Sequence, residues 1–131
     1  MKFALLDWMR LGGTPELTPP IPVVQTPIYS ELPMDDQDFR DIVAEFIARL
    51  HERMSTLAQL QSAHNWAAIK PVIHWLKGAG GSVGFPILTA LSLQIELALD
   101  ADDLPKAEQI LSELLRTAPR ISMPPRTSFN G

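Results

Sequence analysis

The run His74-Trp75-Leu76-Lys77-Gly78-Ala79-Gly80-Gly81-Ser82-Val83-Gly84 holds the residues best equipped for chemistry in this chain. An imidazole is partly neutral near pH 7, and one ring nitrogen of the neutral form can attack phosphorus. Lys77 stands one helical turn from His74, where its ammonium would offset part of the charge that a phosphoryl group brings. Gly78, Gly80, Gly81 and Gly84 fall where a helix is otherwise expected, each costing about 1 kcal/mol relative to alanine. Helix propensity therefore does not explain the run. Gly78 lies one turn and Gly81 two turns beyond His74, so the imidazole borders a strip almost free of side chains, open to close approach by another protein. Trp75 beside it is a candidate anchor for that protein. Phosphoryl transfer depends mainly on in-line positioning and charge compensation, so a magnesium ion and its acidic pocket can belong to the partner.

Helices must position these residues. From Asp35 onward Phe39, Val43, Phe46, Leu50, Met54, Leu57 and Leu60 recur at steps of three and four, which predicts a long amphipathic helix capped by Asp35 and Asp36. A polar break at 61–65 precedes a second helix with Ile69, Ile73, Leu76, Gly80 and Val83 on one face, capped by Asn65. Pro71 predicts either a kink there or a helix start at that residue. Beyond Gly84, Phe85 and Pro86, a third helix carries Leu88, Leu91, Ile95, Ala98 and Leu99, with Leu93 and Leu97 widening its apolar face so that it should be buried on two sides. Asp100 to Asp103 turn the chain into a fourth helix bearing Leu104, Ala107, Leu111, Leu114 and Leu115. Four such helices with short connections and no convincing alternating strand predict an all-α, antiparallel up-and-down four-helix bundle over residues 35–117. Residues 1–34 hold six of the twelve prolines and read as an extended arm, and 118–131 read as a flexible tail. The arm opens with Phe3, Leu6, Trp8 and Met9, which suit either a short amphipathic segment that docks elsewhere or a frayed leader.

If the second and third helices form a hairpin turning near Phe85, residues whose numbers sum to about 170 share a level. His74 then faces Glu96, one position off the stripe of Leu88, Leu91 and Ile95. Glu96 is either a carboxylate that orients the imidazole or a solvated surface glutamate.

The pattern H-x-L-K-G, followed by small residues and an aliphatic-glycine pair, resembles the signature of histidine phosphotransfer domains; His74, Leu76, Lys77, Gly78, Val83 and Gly84 match it. The resemblance covers about residues 28–117. It implies a phosphorelay carrier of two-component systems, with His74 exposed midway along the second helix as phosphoryl acceptor and donor, Lys77 assisting the phosphate and Gly78 leaving room for the partner. That partner would be the receiver domain of a response regulator or hybrid sensor kinase, which would supply the Mg2+. The position of Glu96 also fits, since family members often have Gln or Glu at this offset.

Composition narrows the alternatives. A net charge of −4 with scattered Lys and Arg excludes a nucleic-acid footprint, and no apolar run approaches the ~18 residues of a membrane span. With no cysteine, the plainest expectation is a cytoplasmic monomer without disulfides or thiol chemistry. His51 and His64 read as surface residues, and the three histidines lack metal-ligand spacing, so no metal or other cofactor of its own is expected. A nucleotide-binding βα unit, with Val72 to Leu76 as strand, fails on glycine spacing and on a lysine that precedes the loop. A helical adaptor using Trp75 and Phe85 as anchors remains the other reading. No ATP site is legible, so the expectation is a carrier and not a kinase.

Overall fold

A computed structural model describes residues 26–125 of the chain. The opening residues Phe3 to Met9 lie outside the described part. Four helices follow one another: α1 (Gln37–Ser62), α2 (Trp66–Ser82), α3 (Pro86–Asp100) and α4 (Leu104–Thr117), the last continued by a 3-10 turn at Ala118–Arg120. Each begins where the local chemistry satisfies free amides. The Asp36 carboxylate accepts from the N–H groups of Asp38 and Phe39, Asn65 accepts from Ala68, and Asp103 accepts from Lys106. Pro86 opens α3, where a missing N–H is no loss.

α2 starts at Trp66 and runs through Pro71, so the alternative of a start at the proline is not taken. The Asn65 cap and the buried Ile69 secure a first turn upstream of it. Pro71 and Ala67, whose carbonyl the proline cannot serve, are both exposed, so that carbonyl is left on the solvent side. Val72 to Leu76 are helical, which removes the βα reading.

Connections of three residues, at 63–65, 83–85 and 101–103, force consecutive helices to run antiparallel. α2 packs on α3, α3 on α4, and α1 closes against both α2 and α4, making a four-helix bundle. Its core is the expected set of stripes: Val43, Leu50 and Leu57 from α1, Ile69, Ile73 and Leu76 from α2, Leu88 and Ile95 from α3, Leu111 and Leu114 from α4, all fully buried. Each such aliphatic side chain contributes about 1.5–3 kcal/mol relative to exposure. Phe46 ties the layers, its ring stacking on Trp75 at 5.7 Å and on Phe85 at 5.8 Å between centroids. Among the described residues no helix is long and apolar enough to cross a membrane.

Two expectations need correction. α3 is buried on one side only, because Leu93 and Leu97 remain 44% and 57% exposed. No described element covers these two side chains. The tail expected from residue 118 is packed at its start: Ala118 and Ile121 belong to the core, and Arg40 donates to the Pro124 carbonyl. The end of the proline-rich arm is packed too. Ile28 donates to the Arg120 carbonyl and accepts from the Ser122 amide in a single parallel bridge, while the Ser30 hydroxyl donates to the Val83 carbonyl at 2.6 Å. Residues 26–34 thus lie across the α2–α3 connection. Gly84 makes this approach feasible, since its φ of +89° disfavours any side chain and an added Cβ would meet the Ser30 hydroxyl and, at 2.8 Å, the Glu31 amide.

Candidate functional site

Two buried residues of α2, Ile73 and Leu76, face the core and so turn His74 outward, leaving its side chain 76% exposed. Lys77 follows one turn later on the α3 side. The α2–α3 seam is close because Gly80 admits Leu88: an added Cβ at Gly80 would lie 2.8 Å from the Leu88 Cβ. A hydrogen bond from the Thr89 hydroxyl to the Lys77 carbonyl at 2.7 Å fixes the register.

That register brings Glu96 of α3 between the two α2 residues. One carboxylate oxygen, Oε1, accepts from Lys77 Nζ at 2.6 Å; the other, Oε2, lies 3.2 Å from His74 Nδ1. The lysine hydrogen bond holds the Glu96 carboxyl below the usual glutamate range, partial burial opposes it, and the His74 contact adds to the lowering. An ionised carboxylate only accepts, so the hydrogen in the His74 contact sits on Nδ1. In the neutral ring Nε2 then carries the lone pair. An open hollow of about 460 Å3 adjoins the cluster, bordered also by Lys70 one turn before His74 and Asp100 one turn after Glu96. Reading the sequence for chemistry missed Lys70, Thr89 and Asp100. The signal for the two charged ones was helical spacing from His74 and Glu96, whereas Thr89 needed the seam itself.

The glycines divide by what they face. Gly78 is exposed, and an added Cβ there would have nothing within 4 Å, so the surface beside His74 is open. Gly81 is exposed as well, but a Cβ there would come 2.7 Å from the Thr89 hydroxyl, so this glycine also serves the seam. Trp75, expected as an anchor for the partner, packs in part on the core. Its ring is half-buried, stacked on Phe46, with the Arg53 guanidinium carbon 4.4 Å from the ring centroid. Phe85, the other anchor of the adaptor reading, is fully buried. His51 and His64 are exposed and border no part of the hollow.

An exposed imidazole with one nitrogen held by a carboxylate, a lysine on that same carboxylate, and bare backbone alongside can accept and release a phosphoryl group at the free nitrogen. Comparison with curated proteins and with solved structures gives no match. The sequence model described as Hpt domain matches residues 41–122, more than half of the chain, and spans all of α2, α3 and α4 with most of α1. The chain therefore belongs to the Hpt domain family, the histidine phosphotransfer domains that carry phosphoryl groups in two-component phosphorelays.

Proposed function

We propose that this chain takes a phosphoryl group onto Nε2 of His74 from the aspartyl phosphate of a receiver domain, and returns it to such an aspartate. In the forward step the Nε2 lone pair forms the N–P bond while the acyl-phosphate O–P bond breaks, and the electron pair leaves with the receiver's carboxylate. The Nδ1 hydrogen stays where it is, directed at Glu96. Positive charge that develops on the ring is offset by the Glu96 carboxylate, and Lys77, with donors beyond the one given to Glu96, meets the equatorial oxygens. Gly78 leaves room for the receiver. The magnesium ion and the acidic residues around the aspartate are the receiver's contribution, so this chain acts as a carrier and not as a kinase.

The single observation that supports this reading is the His74–Glu96–Lys77 cluster on the open face of an Hpt domain. The adaptor reading is weakened by Phe85, which is fully buried, and by Trp75, which is half-buried against Phe46. The test is incubation with each phosphorylated receiver domain of the source organism. Label is expected on one residue as a phosphoramidate, lost in acid and retained in alkali, and absent from His74→Gln. Full labelling of His74→Gln would refute the assignment.

A further inference from the structure

The outward face of α3 is built wrongly for water. Pro86, Ala90, Leu93 and Leu97 recur at steps of four, three and four on the side opposite Leu88, Leu91 and Ile95, and all four are exposed. The helix carries only two charged residues, Glu96 and Asp100, both bordering the hollow at His74 and not this face. Beside Leu97 another hollow of about 250 Å3 is bordered by Gln94, Ala98, Ala101, Asp103 and Lys106, and Leu104 at the start of α4 is 42% exposed. A helix apolar on both sides is normally covered on both sides.

The chain itself brings a cover to this place. Residues 26–31 run from the segment after α4, where Ile28 bonds Arg120 and Ser122, to the residue before Phe85 and Pro86, where the Glu31 amide donates to the Gly84 carbonyl at 2.9 Å. The described chain begins at Thr26, whose carbonyl accepts from Arg120 Nε at 2.9 Å, and Arg120 borders a hollow with Pro86 and Ile87 at the start of α3. Among the preceding residues Phe3, Leu5, Leu6, Trp8, Met9 and Leu11 form the most apolar segment before the bundle, followed by a spacer with Pro15, Pro19, Pro20 and Pro22. At ~3.1 Å per residue, residues 12–25 can span roughly 43 Å, against the ~16 Å of helix from Pro86 to Leu97. Charge also matches, since Lys2 and Arg10 outnumber Asp7 in and beside the segment, while Asp100, Asp102 and Asp103 gather at the far end of the face.

We infer that residues 3–11 dock on the outward face of α3, with Trp8 seated at the hollow beside Leu97. Size favours this occupant over a free one. A strip one helix wide and ~16 Å long buries only a few hundred Å2 per side, well under the roughly 800 Å2 per partner of a stable complex. Such a contact is weak between separate molecules. A tether raises the effective concentration of the segment to the order of millimolar, which lets a small interface stay filled.

The test uses the full chain, which has no native cysteine, so Gly12→Cys places a single nitroxide label just after the segment. Amide signals of residues 90–101 are expected to lose most of their intensity, and to recover it when Leu97→Glu is added to the labelled chain. Leu97 is already 57% exposed, so that change leaves the bundle folded. A mixture of labelled unenriched chain with unlabelled nitrogen-15 chain is expected to show no loss. Loss of intensity in that mixture would assign the face to a second copy and overturn the inference. Full intensity across 90–101 in the labelled chain would overturn it as well and leave the face to an external partner.

Discussion

Replacing Glu96 by Gln keeps the size of the side chain and its ability to accept a hydrogen bond, but removes the charge that faces both His74 and Lys77. A hydrogen bond to an ionised group contributes about 1.5–3 kcal/mol when shielded. The His74–Glu96 contact is long at 3.2 Å and the imidazole is 76% exposed, so water competes and about 0.5–1 kcal/mol is the fitting scale. That corresponds to a bias of about two- to fivefold in favour of the tautomer with hydrogen on Nδ1 and the lone pair on Nε2. In Glu96→Gln the bias weakens, and the initial rate of labelling by a phosphorylated receiver is expected to fall by up to about two- to fivefold, the limit reached when the tautomer with the lone pair on Nε2 becomes the minor one. The substitution also frees Lys77 for the phosphate, which acts on the lifetime of the product; the initial rate isolates the attack. Imidazole nitrogen-15 shifts of His74 measure the tautomer ratio directly. A purely structural Glu96 would change thermal stability while leaving that ratio alone. An unchanged ratio together with an unchanged initial rate would refute the argument.

Neighbouring glycines should respond with opposite signs in urea unfolding: Gly78→Ala, with open space around it, gains about 0.5–1 kcal/mol of helix propensity, whereas Gly80→Ala meets Leu88 and loses on the order of 1 kcal/mol net. Gly78→Gln should keep the fold and sharply slow transfer from a receiver, and an unchanged rate would show that the receiver approaches elsewhere. Ile121→Ala should cost about 2–5 kcal/mol, since this residue is only 2% exposed; a change within error would return residues after 117 to a loose tail. Because the Glu96 carboxyl is held below its ordinary value in the folded state, the unfolded chain takes up its proton first as pH falls. The stability that Glu96 supplies is therefore complete at neutral pH, fades below the ordinary glutamate range and is gone beneath its lowered value. Wild type and Glu96→Gln should differ in unfolding free energy at pH 7 and converge in acid, and a constant difference would contradict the ion-pair account.

His74, Lys77 and Gly78 were legible from the sequence because one helical turn relates them, and helical periodicity is a property of a single segment. The four apolar stripes and their caps at Asp36, Asn65 and Asp103 were legible for the same reason. Even Glu96 could be placed at the level of His74, since a three-residue connection makes the pairing of two antiparallel helices a matter of counting. What lay beyond the sequence is what other elements do when they arrive. A bare α-carbon at Gly80, Gly81 or Gly84 looks alike in sequence, yet one admits Leu88, one Thr89 and one the Ser30 strand of chain, while Gly78 alone meets open space. Trp75 and Phe85 carried no mark of Phe46, which draws both rings inward. Ile28 and Ile121 lie far apart in the chain in segments with no helical pattern, and only their mutual bridge against the bundle makes one of them core. Leu93 and Leu97 mark the same limit from the other direction. Periodicity shows that a face is apolar, but burial is decided by whether a second surface reaches it, and that depends on the whole arrangement of the chain.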